Sequence, residues 1–436
     1  MATARVDIGT DAENAKVTLG QIFDRLFGSD APVRFSAYDG STGGRADAQI
    51  GITLAHPRAA AYVATAPNSL GLARAYLRGD LYVDGVHPGD PYELLRLIED
   101  DLHMSRPTPA EALAWVRAFG VRTILPPQPP DEEVLPRHRI GVRNSKRNDA
   151  NAISHHYDVS NRFYELVLGD SMTYSCACYP NEESTLEAAQ EHKYDLVARK
   201  LGLASGMRLL DVGCGWGGMV RHAAKNYGVR ALGVTLSHEQ AAWATARIEA
   251  EGLGHLAEVR YLDYRDLPED HFDAVSSIGF VEHVGVGNYP VHFSFLRSRL
   301  RPEGRLLVQG ITRSDNDHPG VERRGFIVRY VFPNGGITGS ADMVRAMENS
   351  GWEVQHQENL RLHYARTLQT WGANLAAHWD ECVAETGLPK AKVWGLYMAG
   401  SRLAFERNRL QLHQVLATRT TEQGSSNYPL RPDFGV

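Results

Sequence analysis

The stretch Arg208-Leu209-Leu210-Asp211-Val212-Gly213-Cys214-Gly215-Trp216-Gly217-Gly218 reads as an apolar strand that runs into a glycine-dense turn and then a helix. Glycine allows a backbone with positive φ and lets a ligand come close. The helix start beyond it offers N–H groups with no intrahelical partner. A nucleotide-like ligand is the first expectation. Two spacings overlap: Gly213, Gly215 and Gly218 satisfy G-x-G-x-x-G, while Asp211, Gly213, Gly215 and Gly217 satisfy D-x-G-x-G-x-G. In dinucleotide-binding proteins the first is followed, roughly 20 residues on, by an acid at the end of the next strand. Here that strand, Val229 to Val234, ends in Thr235-Leu236-Ser237 without a carboxylate. Glu239 comes later, in the first turn of the following helix, where the helix dipole favours an acid in any case.

Outward from this motif the pattern alternates. Helices are predicted over 185–202, 216–227, 237–252 and 338–350, and strands over 208–212, 230–234, 257–261, 272–277 and 306–310. Such alternation predicts an α/β fold with a doubly wound, mostly parallel sheet, whose ligands gather at the carboxyl ends of the strands. The amino-terminal part is different. Leu19, Ile22, Phe23, Leu26 and Phe27 recur at helical spacing, and 33–38 and 50–54 read as strands. Pro126, Pro127, Pro129 and Pro130 form a stiff connector, followed by a basic stretch with Arg137, His138, Arg139, Arg143, Lys146 and Arg147. The expected division is a small α+β domain over 1–125, a Pro-rich then basic linker over 126–150, a principal domain over 151–420 and a polar tail over 421–436.

Several further blocks keep company with the glycine loop. They are Ile153-Ser154-His155-His156-Tyr157-Asp158-Val159-Ser160-Asn161, Met172-Thr173-Tyr174-Ser175-Cys176, Val234-Thr235-Leu236-Ser237 with Gln240, and Asp263-Tyr264-Arg265-Asp266-Leu267. Ser277-Ile278-Gly279-Phe280-Val281-Glu282-His283-Val284-Gly285 and Arg329-Tyr330-Val331-Phe332-Pro333-Asn334-Gly335 complete the set. In order and spacing the chain from roughly residue 150 to 420 resembles the cyclopropane fatty acid synthases, the mycolic acid cyclopropane synthases and related fatty-acyl methyltransferases. Leu70 to Asp84 matches the small amino-terminal domain of the long members.

The resemblance implies an S-adenosylmethionine-dependent C-methyltransferase acting on the cis double bond of an unsaturated phospholipid acyl chain, by way of a carbocation. It implies that Tyr174, Ser175, Leu210, Asp211, Gly213, Gly215, Trp216, Gly217, Thr235, Gln240, Asp263 and Tyr264 meet the cofactor. Thr235 and Gln240 would offer neutral hydrogen bonds to the ribose. In the family the base is a bound bicarbonate, and the resemblance assigns it here to Cys176, Glu282, Tyr364, Gln309 and the backbone at Ile311. An anion beside Glu282 requires a protonated or proton-sharing carboxyl, because two bare negative charges repel. The apolar neighbours Ile278, Phe280, Val281 and Val284 suit a buried carboxyl better than a salt-bridged surface acid. Cys176 reads almost equally as a small buried hydrophobe.

Two positions depart from the family. Its histidine position holds Gln309, which donates hydrogen bonds but cannot relay a proton. A cysteine of the last helical region is replaced by Ser401. These changes leave methyl transfer intact and put ring closure in question; the expected product is a methylene-branched (10-methylene type) or a cyclopropane fatty acid. The implied fold adds a helical acyl-chain cover, expected from residues 150–205 and from Tyr364 to Leu416. Trp371, Trp379, Trp394, Leu396, Tyr397 and Phe405 suit a lipid slot or an ordinary helical core equally. The rival readings are an NAD-type oxidoreductase using the same loop and a catalytically decayed lipid-binding relative.

The formal net charge of −6 gives no general attraction to nucleic acid or anionic lipid, so membrane contact calls for a local patch. No apolar run approaches the roughly 18–20 residues that span a bilayer, and the start of the chain lacks a signal-peptide pattern. A cytoplasmic protein, peripheral at the inner face of the membrane, is expected. Cys176, Cys178, Cys214 and Cys382 fit neither a zinc site nor a disulfide framework, and no metal is expected. The expected partners are an unsaturated phospholipid and, for a methylene product, a separate reductase, with room for a homodimer and none for nucleic acid.

Overall fold

The computed structural model describes residues 17–120, 125–134, 159–317, 325–332 and 336–435. Most of the 153–161 block, the basic stretch 137–147 and Pro333-Asn334-Gly335 lie outside the described residues. Contacts divide the chain into two units, Met1–Val86 with Arg96–Asp131, and His87–Leu95 with Glu132–Val436.

The first unit holds a four-stranded sheet of β1 (Arg34–Ala37), β2 (Thr42–Gly44), β3 (Gly51–Leu54) and β4 (Leu81–Asp84), in the order β2-β1-β3-β4. Its first helix, Leu19–Phe27, opens on a capping box in which Thr18 and Gln21 satisfy each other's backbone N–H. Tyr62 and Ala75, from helices Pro57–Thr65 and Ser69–Arg78, form a small core with Leu81.

The second unit is built on a seven-stranded sheet of β5 (Arg208–Val212), β6 (Arg230–Thr235), β7 (Ala257–Tyr261), β8 (Phe272–Ile278), β9 (Leu300–Arg313), β10 (Glu353–Asn359) and β11 (Leu410–Thr418). Their order is β10-β11-β9-β8-β5-β6-β7. From β9 to β7 every pairing is parallel, whereas β11 runs antiparallel to both β9 and β10. Leu210, Val212, Val234, Val275, Leu306, Val308 and Val415 point to one face. There they pack with Phe293 and Leu296 of helix Tyr289–Arg299 and with Met343 and Met347 of helix Ser340–Asn349. The opposite face meets helix Leu186–Leu201. The strand β11 begins inside the stretch 364–416 expected to be helical and runs two residues past it. Its alternation Leu410-Gln-Leu-His-Gln-Val-Leu follows a long helix, and it forms because β9 offers a full open edge to pair with.

The chain leaves β5 for β6 and β7 on one side, then returns to lay β8 against the other side of β5. Strand order reverses at β5/β8, which opens a crevice beyond the carboxyl ends of these strands. The glycine loop and the Glu282 block both begin there.

Candidate active site

Gly213 follows β5 with φ +76°, and its N–H bonds the carbonyl of Val234 at 3.0 Å. A Cβ on Gly213 would stand 2.5 Å from Cδ2 of Phe280, so only glycine lets the loop and the segment after β8 close together. Gly217, φ +74°, caps helix Gly218–Tyr227 without a side-chain bond, which leaves the helix start to a ligand. Thr235 and Gln240 are both buried, and the Thr235 hydroxyl donates to Gln240 Oε1 at 2.8 Å. A neutral pair thus stands where a dinucleotide site would carry an acid.

Other predicted cofactor residues are spread around the loop. Leu210 lies in the apolar core. Asp211 faces the other way, accepts from Ser276 Oγ at 2.6 Å, and is raised to about 6 by burial against the lowering effect of Ser276 and Lys193. Ser175 accepts from the buried Lys193 ammonium at 2.9 Å. Burial lowers Lys193 to about 8. The Asp263 carboxylate takes both the backbone N–H and the guanidinium of Arg265, and Tyr264 bonds the buried His292. Gly215 has φ +54° and open space where a Cβ would stand.

An aromatic wall joins the loop to the carboxyl-terminal helices. Trp216 is buried, donates its indole N–H to Asn161 at 3.0 Å, and packs on Tyr164 at 4.8 Å. Tyr164 and Tyr174 both contact Trp394, and Tyr174 also meets Trp371. The Tyr174 hydroxyl donates to that of Tyr397 at 3.1 Å. Trp371, Trp394, Tyr397 and Phe405 are all buried.

The proposed base site forms where β8 ends before β9 does. The Gln309 backbone carbonyl accepts the N–H of Gly279, the first residue past β8, at 2.8 Å. The next free donor on β9, the Ile311 N–H, goes to Glu282 Oε1 at 2.6 Å. Part of Glu282 reaches the surface, yet its Oε2 is out of solvent contact and has no partner among the described residues. Burial raises this carboxyl to about 7, against the opposing pull of the Ile311 N–H. Burial also lowers the adjacent His283 to about 4, leaving it neutral. Cys176 is fully buried, and burial pushes its thiol well above the ordinary range. Its Sγ donates to the Leu360 carbonyl at 3.9 Å, the same carbonyl that caps the Tyr364 N–H at 3.2 Å. Glu282 and Ile311 therefore meet directly, and Cys176 and Tyr364 meet at Leu360. Gln309 instead turns its side-chain oxygen to Gln414 Nε2 at 2.9 Å. Lys193, Lys200 and Gln414 were not singled out by sequence; a buried lysine or glutamine carries no local pattern.

The chain as a whole is similar to proteins already known. The family model for mycolic acid cyclopropane synthetase matches residues 144–415. The chain belongs to that family. A probable fatty acid methyltransferase of Mycobacterium tuberculosis, Rv3720, is 57% identical over 404 residues, covering 92% of this chain and 94% of the relative. The cyclopropane-fatty-acyl-phospholipid synthase of Escherichia coli is 35% identical over 269 residues, 62% of this chain and 68% of that one. The crystal structure of the mycolic acid cyclopropane synthase CmaA1 complexed with SAH and CTAB aligns with a TM-score of 0.57 at 30% identity, covering 62% of this chain and 97% of that chain. The fold is that of the S-adenosylmethionine methyltransferases, and the chain is an S-adenosylmethionine-dependent C-methyltransferase of fatty acyl groups. Membership in this cyclopropane synthase family speaks against the oxidoreductase reading of the glycine loop.

Proposed function

We propose that this cyclopropane synthase family member methylates the cis double bond of an unsaturated phospholipid acyl chain and directs the resulting carbocation to a methylene-branched or cyclopropane product. When bound, S-adenosylmethionine supplies an electrophilic sulfonium methyl. The alkene π pair forms the new C–C bond as the S–C bond breaks, leaving the charge on the acyl chain. The ring wall of the buried Trp216, Trp371 and Trp394 with the partly exposed Tyr174 keeps water from that charge and presents π faces to it. Loss of a proton from the new methyl closes a cyclopropane. A hydride shift followed by loss of a methyl proton gives the methylene.

The observation that carries this reading is the Glu282 carboxyl, raised to about 7, with Oε1 on the Ile311 N–H and Oε2 unpartnered. At neutral pH such a group is half protonated, so it can hold or release a proton at Oε2. Bicarbonate fits the residues present: the unpartnered Gln309 Nε2 offers donors to an anion, and a protonated Glu282 avoids repulsion. Cys176, Tyr364 and the backbone at Ile311 complete the proposed holders, and the cofactor residues are those assigned by resemblance around the glycine loop. Because glutamine cannot relay a proton, Gln309 favours the methylene outcome, whose product a separate reductase would consume.

No helix among the described residues is long and apolar enough to cross a membrane. Contact with phospholipid is proposed to be peripheral, at the inner face and through the basic stretch 137–147, with a homodimer compatible. The test is gas chromatography–mass spectrometry of fatty acids from cells expressing the protein, fed oleate and isotope-labelled methionine. A labelled methylene or methyl branch is expected, and Gln309→His raises the cyclopropane fraction. An unchanged product ratio would sink the link to Gln309.

A further inference from the structure

Gln309 on β9 and Gln414 on β11 are register partners, so their side chains share one face of the sheet. Both are buried, and the helix Leu186–Leu201 covers them with Lys200, whose side chain is 1% exposed. The Lys200 ammonium is ion-paired with Glu358 and donates to Gln414 Oε1 at 2.7 Å. Gln414 Nε2 donates in turn to Gln309 Oε1 at 2.9 Å. What remains is Gln309 Nε2, buried and without a partner among the described residues.

A primary amide has a donor end and an acceptor end, and either can be turned outward by a half-rotation. An ammonium has donors only. Gln414 must therefore give Lys200 its oxygen, which commits its nitrogen to Gln309. Gln309 must answer with its oxygen, which commits its own N–H groups to the far side. The direction of the whole row is set by the charged residue at its start.

We infer that Lys200 and Gln414 are positioning residues that lock the Gln309 amide with its nitrogen outward, so that this point of the site accepts only a hydrogen-bond acceptor such as an oxyanion. This rests on the proposed role of Gln309 beside Glu282. The row makes Gln309 a one-way donor, whereas a histidine at the same position could present either a donor or an acceptor nitrogen by changing tautomer. The burial of Lys200 supports the assignment. Fully covering a lysine is costly unless its donors are used, and here an ion pair and an amide oxygen use them.

The decisive variant is Gln414→Glu, which is nearly isosteric. Its carboxylate still accepts from Lys200 but has no N–H for Gln309, so the Gln309 amide turns over and shows its oxygen to the site. Bicarbonate, added to carbonate-free buffer, is the probe. Turnover, melting temperature and calorimetric S-adenosylmethionine affinity are the readouts. Wild type and Lys200→Arg, which keeps the donors, are expected to respond to bicarbonate within about twofold of each other. Gln414→Glu should need at least about tenfold more, the scale of one lost charge-assisted hydrogen bond. Lys200→Met should fall between, since it frees the direction of Gln414 without reversing it. Cofactor affinity should stay constant across the series.

An unshifted bicarbonate response in Gln414→Glu overturns the inference. If that variant does not fold, an unshifted response in Lys200→Met overturns it equally, and so does a wild type that ignores bicarbonate in both turnover and melting. Failure of the wild type to methylate any lipid while binding S-adenosylmethionine counts against the proposed function instead. The bicarbonate shift in melting temperature, which needs no turnover, then still tests the row.

Discussion

With its carboxyl raised to about 7, Glu282 enters the folded protein more readily as the neutral acid than as the anion. Its ordinary value is 4.5, so between pH 4.5 and 7 the unfolded chain loses this proton first and the folded state weakens as pH rises. The full penalty, about 3 kcal/mol, is reached above the folded value. Glu282→Gln removes it. Chemical denaturation at pH 5 and pH 8 should therefore show a steeper loss of stability in wild type than in the variant. The same substitution should lower turnover by about 10²–10⁴-fold, the usual scale for a group that moves a proton, with S-adenosylmethionine binding unchanged by calorimetry. Burial of Glu282 was legible in the sequence, since Ile278, Phe280, Val281 and Val284 surround it in the same run. The partners of Gln309 were not. Gln414 and Lys200 stand 105 and 109 positions away, and only the pairing of β9 with β11 brings the first of them alongside.

At the level of elements, the loop after β5 depends on two backbones approaching within the width of a side chain. Gly213→Ala must hold an alanine at φ +76° with its Cβ 2.5 Å from Phe280 Cδ2. A cost of about 1–3 kcal/mol is expected for the strain. Urea denaturation should register it, and the displaced loop should bind S-adenosylmethionine at least about tenfold more weakly in a titration. The parallel strands β5, β6, β7 and β8 could be read in the sequence to within a residue or so: β5, β6 and β8 are buried along most of their length, and β7, at the sheet edge, alternates buried with exposed residues. Strands β10 and β11 escaped that reading for opposite reasons. Glu353-Val-Gln-His-Gln-Glu-Asn is a half-exposed edge whose composition is nearly all polar. Leu410–Thr418 emerges directly after a 19-residue helix, with no glycine or proline to mark the change.

In the whole molecule, the excursion of His87–Leu95 into the second unit has no signal in the sequence. Within that unit Gly89 lies against Ala376, and a Cβ on Gly395 would run into the Pro88 carbonyl oxygen. Asp90 sits over Gly372, and Tyr92 bonds Glu406 and stacks under Arg402. These nine residues fill a groove between helices Arg361–Ala377 and Leu388–Glu406. A fragment starting at residue 125 keeps all seven strands but opens that groove. Its melting temperature should fall by several degrees relative to the full chain, about what a loss of 1–2 kcal/mol produces at this size. The chain passes from one unit to the other three times, at 86/87, 95/96 and 131/132. A single cut near residue 123 would accordingly liberate neither half, and the pieces should travel as one species on a sizing column and part only on a denaturing gel. Two genes, one for each piece, would then suffice to rebuild the enzyme inside a cell.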